Sequence, residues 1–195
     1  MSKKTYRFNK DERDFSDFNY AYSPHAEGRN KFFLYDNCIA NFEPERREEF
    51  NYVSLITKKK YGIGTRVSTK CVFKKFGAPL IVFTDDMTDE VGGTKLYGLH
   101  FEVVAYEGGC NVWHIVPDPE NVKRPIKSTK IGNMAFSIEP DEVIDISVGF
   151  KSKKISICVN GNSSDVENED FPENFCVGIT ACEGANKFYE FEIEE

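Results

Sequence analysis

The sequence is poor in several of the residues that would betray a specialised chemistry. It has one tryptophan, three histidines and three methionines in 195 residues. No apolar run approaches the roughly 20 residues that cross a bilayer as a helix, so no membrane partner is expected. The start, Met1-Ser2-Lys3-Lys4-Thr5-Tyr6-Arg7, is basic but has no apolar stretch behind it, so no secretory signal is expected. None of the six cysteines stands in a Cys-x-x-Cys pair, which argues against zinc. No stretch keeps a convincing 3.6-residue apolar period, which argues against a helical core. Positive charge is also in deficit: 25 Lys+Arg against 32 Asp+Glu leave a net charge of −7. That balance argues against nucleic acid as a partner, because binding it needs clustered basic groups to displace counterions.

What is present suits one soluble domain over residues 1–195, with residues 1–50 supplying N-terminal strands and connecting loops. Aromatics make up 14 % of the chain, and a chain of this length buries a full core without covalent staples. Most of Cys38, Cys71, Cys110, Cys158, Cys176 and Cys182 sit in apolar alternating runs, where Cys behaves as a small buried hydrophobe. Reduced thiols and a cytoplasmic location are expected, or a secreted one if the chain is a trimmed piece.

From about residue 52 onward the apolar pattern has a period of two, the signature of half-buried strands. Ser54–Thr57 predicts a short strand. Tyr61, Ile63, Thr65, Val67, Thr69, Cys71 and Phe73 predict a long one, with Arg66 and Lys70 on its other face. Leu80–Phe83 is apolar on both faces, as in a central strand. Leu96–Tyr106 and Cys110–Val116 predict a hairpin turning at Gly108-Gly109. That turn pairs Tyr106 with Asn111, Val104 with Trp113 and Glu102 with Ile115. One face then carries His100, Glu102, Val104, Tyr106, Asn111, Trp113 and Ile115. The other carries Leu99, Phe101, Val103, Ala105, Val112, His114 and Val116 and reads as core, with His114 a satisfied core histidine.

A second hairpin follows, in which Ile144, Ile146, Val148 and Phe150 face Ile155, Ile157 and Val159, and Asn160-Gly161 supplies the next turn. Phe175–Cys182 and Lys187–Ile193 read as a last pair around Glu183-Gly184-Ala185-Asn186. Segments 117–125 and 162–173 read as loops, and Glu43–Glu49 as a mixed-charge helical turn or solvated loop. Many strands with glycine-marked turns and no helix predict an all-β fold, an antiparallel two-sheet β-sandwich.

Three stretches resemble the concanavalin A-like lectin/glucanase superfamily. They are Tyr61–Val67 leading into Gly77–Phe83, then Lys154–Gly161, and Val177–Cys182 continuing to Phe188–Ile193. The resemblance covers roughly residues 52–195 and implies a jelly-roll sandwich whose ligands lie across a concave sheet. The superfamily's retaining glucanases carry Glu-x-Asp-x-x-Glu on one strand. That motif is absent here: Glu12-Arg13-Asp14-Phe15-Ser16-Asp17 ends in Asp and precedes the sheet, and Glu139-Pro140-Asp141 has only the start. Nor does Trp113 begin the Gly-x-Glu pattern of galectins.

The mixed face of the Gly108-Gly109 hairpin is the candidate ligand site, because sugar recognition combines an aromatic platform with planar hydrogen-bonding groups. Its expected ligand-binding residues are His100, Glu102, Tyr106, Asn111 and Trp113, with Arg66 added from a neighbouring strand. The competing reading is a covered sheet face, with Trp113 in a minor core and Glu102 paired to Lys or Arg. No cofactor is expected. Asp85-Asp86-Met87-Thr88-Asp89-Glu90 offers oxygen ligands to Ca²⁺ but lacks the EF-hand pattern, and reads first as an acidic turn.

The expected function is a non-catalytic, lectin-like module whose partner is an oligosaccharide or polysaccharide. The enzymatic alternative is a glycosidase or polysaccharide lyase, with His100 and Tyr106 as acid and base and Arg66 neutralising a uronate. The third reading is a protein-interaction scaffold.

Overall fold

The computed structural model describes residues 2–26, 30–41, 51–90 and 94–195. Sixteen strands follow one another with no helix among the described residues. The N-terminal part supplies β1 (Lys3–Arg7), β2 (Phe18–Tyr22), β3 (Phe33–Leu34) and β4 (Ile39–Ala40). Next come β5 (Tyr52–Thr57), β6 (Tyr61–Gly62), β7 (Arg66–Thr84), β8 (Met87–Asp89) and β9 (Lys95–Tyr97). The rest are β10 (His100–Tyr106), β11 (Gly109–Pro117), β12 (Ile126–Ala135), β13 (Ile144–Lys151), β14 (Lys154–Val159), β15 (Asn162–Glu167) and β16 (Asn174–Glu194). The mixed-charge segment Glu43–Glu49 lies outside the described residues.

β7 and β16 form the spine, pairing antiparallel from Thr84 with Cys176 to Arg66 with Glu194. The register shifts between Glu183 and Ala185, where the two backbones approach closely: a Cβ on Gly184 would stand 2.3 Å from the Gly77 nitrogen. On one side of this bulge, residues 66–71 of β7 carry β13, followed outward by β14 and β15, while β16 carries β1. On the other side runs the order β12-β11-β10-β7-β16-β5-β2-β9-β8. Apolar side chains from both sides meet in one core, with Val67, Phe73, Ile146 and Phe191 in the same cluster as Phe83, Phe101, Val103 and Ile179. The architecture is an antiparallel β-sandwich, as the sequence predicts. The parallel contact of β2 with β9 is an exception to the antiparallel rule.

Leu80–Phe83 is buried on both faces. Ile81 and Phe83 enter the main core, whereas Leu80 and Val82 join a second cluster on the outer face with Ala21, Tyr22, Ile56, Tyr97 and Cys176. All six cysteines are free thiols.

Several expected boundaries are corrected. Tyr61–Phe73 and Leu80–Phe83 are not separate strands; Gly64, with φ +94°, breaks the first, and Arg66–Thr84 runs on as one. The expected closing hairpin at residues 183–186 is a bulge in the single strand β16, because both of its halves keep β7 as their partner. Leu96–Tyr106 is interrupted at Gly98-Leu99. A Cβ on Gly98 would overlap Asp86 Oδ2, which accepts the Leu99 N–H at 2.8 Å. Segment 162–173 contains β15, and the unpredicted β12 closes the sheet beyond β11.

Candidate functional site

The β10–β11 hairpin turns one residue earlier than the glycine pair suggests. Tyr106 pairs with Gly109, Val104 with Asn111, Glu102 with Trp113 and His100 with Ile115. Each partner is displaced by two residues from the expected register. Side chains alternate with a period of two, so the predicted faces survive the slip. The two glycines have different tasks. A Cβ on Gly108 would stand 2.5 Å from the Tyr106 ring, while Gly109 has φ +121° and lies against the Met134 carbonyl.

Phe101, Val103, Ala105 and Val112 face the sandwich core. His114 does so only in part. Its ring stacks on Phe101 at 4.7 Å, its Nδ1 is 4.0 Å from Asp170, and its buried Nε2 has no hydrogen-bond partner. The expectation of a satisfied core histidine is therefore corrected.

The opposite face opens into a cleft of about 290 Å³. Leu80, Val104 and Ile115 give it an apolar floor. Glu102, Asn111 and Trp113 stand on that floor, and Tyr106 and Glu107 line the hairpin end. Trp113 is half-buried against the outer-face cluster. The register of β11 with β12 shifts between Val112 and Trp113, so Lys130 pairs with Trp113 and sets its Nζ 5.3 Å from the indole ring. Asn133 donates its side-chain N–H to Asn111 Oδ1 at 2.8 Å, which orients that amide.

Glu102 is only 7 % exposed. Among the described residues no lysine or arginine pairs with it. Instead the Tyr52 hydroxyl, from β5, donates to Oε1 at 3.2 Å. Burial, reinforced by the Glu102 charge, holds the Tyr52 phenol well above its ordinary range, so it stays a donor. Ser54, Tyr97 and Thr180 continue the polar layer beside it, with the Tyr97 and Ser54 hydroxyls 2.5 Å apart and Thr180 Oγ1 donating to Ser54 at 2.8 Å.

Of the six expected ligand-binding residues, the cleft gathers Glu102, Tyr106, Asn111 and Trp113. His100 is excluded: it is fully buried, its ring 4.8 Å from that of Tyr97, because β9 lies over this end of the face. Arg66 is excluded as well. It sits at the start of the 19-residue β7, paired with Gly149 and donating to Ser147 Oγ at 3.1 Å, far along the strand from Leu80. The arrangement expected for a lyase, with His100, Tyr106 and Arg66 together, is thus not formed.

The sequence reading missed Ser23 and His25 after β2, Tyr52, Cys182 and Glu183, and Arg124 and Ser128 from the far wall. These come from strands and loops distant in the chain, and only the scarcity of histidine marks His25 out.

Three of the four carboxylates of Asp85–Glu90 are engaged in and around the β8–β9 hairpin. Asp86 accepts the Leu99 N–H, Asp89 pairs with Lys95, and Glu90 accepts from Thr94 at 3.0 Å. Among the described residues no three His, Cys, Asp or Glu side chains are grouped as a metal would require.

No protein-family model matches the chain, and no curated protein matches it in sequence. Solved structures do match. One was reported with endo-acting O-glycanases that members of the human gut microbiota express to initiate mucin breakdown; it has a TM-score of 0.64 at 11 % identity, covering 97 % of each chain. The κ-carrageenase of Pseudoalteromonas carrageenovora, in complex with an oligotetrasaccharide of κ-carrageenan, has a TM-score of 0.62 at 10 % identity, covering 97 % of this chain and 92 % of that one. The exoplasmic/lumenal domain of VIP36, in its Ca²⁺/Man3GlcNAc-bound form, has a TM-score of 0.55 at 12 % identity, covering 84 % and 82 %. At such identity the likeness is one of fold. The chain has the jelly-roll sandwich fold of the concanavalin A-like lectins and glucanases.

Proposed function

We propose that the outer-face cleft binds a carbohydrate without cleaving it. The observation that carries this reading is the convergence of Trp113 and Tyr106 with Glu102 and Asn111 in one cleft of about 290 Å³. An aromatic face stacks on the C–H side of a sugar ring, while a carboxylate and an amide satisfy its hydroxyls. The volume is at the small end of ligand clefts, which run from roughly 300 to 1,000 Å³, and suits a short saccharide. The ligands of the VIP36 and κ-carrageenase structures, Man3GlcNAc and a carrageenan oligotetrasaccharide, favour the same ligand class.

That β10 brings a single carboxylate to the cleft favours binding over catalysis. The cleft-facing side of β10 presents His100, Glu102, Val104 and Tyr106, a single carboxylate among four residues. The hydrolytic reading draws on Glu183 and Glu107, which line the same cleft from other elements. Retaining catalysis would need one of them about 5–5.5 Å from Glu102.

Trp113 is the only tryptophan in the chain and therefore reports the cleft directly. Titration with mixed neutral and acidic oligosaccharides should change its emission saturably, and a reducing-end assay on the same samples should stay flat. Emission unmoved by every saccharide would defeat the proposal. Release of reducing ends that disappears in Glu102→Gln would replace it with the hydrolytic reading.

A further inference from the structure

His100 and Glu102 occupy the same face of β10 two residues apart, the first sealed off and the second opening on the cleft. The imidazole Nδ1 lies 2.8 Å from the Gly98 carbonyl oxygen. A carbonyl oxygen only accepts, so Nδ1 must carry a hydrogen. The other nitrogen, Nε2, is shut off from water and has no hydrogen-bond partner; the nearest acidic atom is Glu102 Oε1 at 3.5 Å. With a neutral ring and an ionised carboxylate, a nitrogen lone pair would face a negative oxygen in a dry environment. That arrangement is costly because no water screens either atom.

We propose that His100 and Glu102 hold one proton between them, and that this proton sets the charge which the floor of the cleft shows to a ligand; the ligand clause rests on the reading of the cleft given above. With the proton on Nε2 the pair is imidazolium and carboxylate; with it on Glu102 the carboxylic acid donates to Nε2. Either way the net charge of the pair is zero, and its loss leaves a bare carboxylate. His100 is thus a positioning residue that never touches the ligand.

Among the described residues no other group nearby takes over this role. From β5, Tyr52 donates to Glu102, and from β9, Tyr97 covers the imidazole. Cys182 of β16 lies close enough to Glu102 to feel its charge. Burial holds Tyr52, Tyr97 and Cys182 above their ordinary values, so all three stay neutral. His114 senses His100 from β11, and Asp86 is committed to the Leu99 N–H. Glu107 and Glu183 add negative charge to the cleft, and Arg124 on its wall donates to Ser128 Oγ at 3.4 Å.

The test needs no ligand. The chain has only three histidines, so the ring nitrogens of His25, His100 and His114 can be assigned by single substitution in ¹⁵N spectra. At pH 7 the ligand-free protein should show His100 either protonated on both nitrogens, or with Nε2 as acceptor beside a protonated Glu102 carboxyl in the ¹³C spectrum. Glu102→Gln supplies a neutral N–H₂ donor, so the ring should become fixed as the neutral Nδ1–H tautomer. An unprotonated Nε2 beside an ionised Glu102 at pH 7 would overturn the proposal, and that measurement on the parent decides the matter even if the variant fails to fold. A saccharide titration that fails while the shared proton is found would refute the ligand reading alone. Where binding is seen, the share of its pH dependence that the pair sets should be lost in Glu102→Gln.

Discussion

Replacing Trp113 by alanine tests the structure and the proposed function in one variant, and the structure sets the size of each effect. Complete burial of a large aromatic makes its truncation cost roughly 3–5 kcal/mol, so a half-buried indole should cost about half of that. Lys130, 5.3 Å from the ring, adds a cation–π contact of about 0.5–1 kcal/mol. The expected loss is therefore about 2–3 kcal/mol, or roughly 5–10 °C in melting temperature for a domain of this size. It should be followed by far-UV circular dichroism, since the variant has no tryptophan to report. Lys130→Met should remove only the smaller contribution, and the double variant should recover it as a coupling. If the ring also stacks on a saccharide, losing about 1 kcal/mol of contact weakens binding about fivefold or more. A loss above about 4 kcal/mol would place the indole in the core. A loss too small to measure would mean that it packs on nothing, and either result would refute the half-buried platform described here.

Three further outcomes are expected. Gly178→Ala should cost about 3 kcal/mol or more, or prevent folding, because its Cβ would stand 1.9 Å from the Leu55 carbonyl oxygen in a central strand; Gly161→Ala, in open space at φ +82°, should cost only about 1–2 kcal/mol, and equal melting temperatures for the two would contradict the packing of β5 on β16. Burial holds the His114 ring below its ordinary value, with Asp170 only partly opposing, so the unfolded chain binds that proton more readily. Stability should thus decline as the pH falls below about 6.5, and His114→Leu should flatten the decline in melting curves taken across that range. Finally, iodoacetamide should label half-exposed Cys158 before the buried thiols, burial having pushed Cys110 up to about 12 and Cys71 above its usual range; equal labelling rates in the folded protein, read by peptide mass spectrometry, would contradict the core assignment.

The faces of the β10–β11 hairpin were legible in the sequence because alternation is local and survives a register slip of two. The second hairpin was legible for the same reason. Ile146 and Val148 pair with Val159 and Ile157, and at the next turn, from β14 to β15, Asn160 and Gly161 both adopt positive φ. β15 was hidden because only Val166 of its six residues is buried; backbone pairing to β14 holds a polar edge strand that carries no apolar period. Gly184 carried the wrong message. Glycine marks a turn and a close backbone approach equally well, and only the continuous β7–β16 ladder distinguishes the two.

The sequence by itself thus determined the strand class, the inward and outward faces and most turns, since these depend on neighbours a few residues apart. The tertiary structure decided the membership of the site. The order β12-β11-β10-β7-β16-β5 brings Tyr52, Glu183 and Arg124 to the cleft from distant parts of the chain. Covering by β9 withdraws His100 from it, and the length of β7 carries Arg66 away. Pairing between distant strands is selected by how all the apolar faces close over one core, and no local pattern contains that choice.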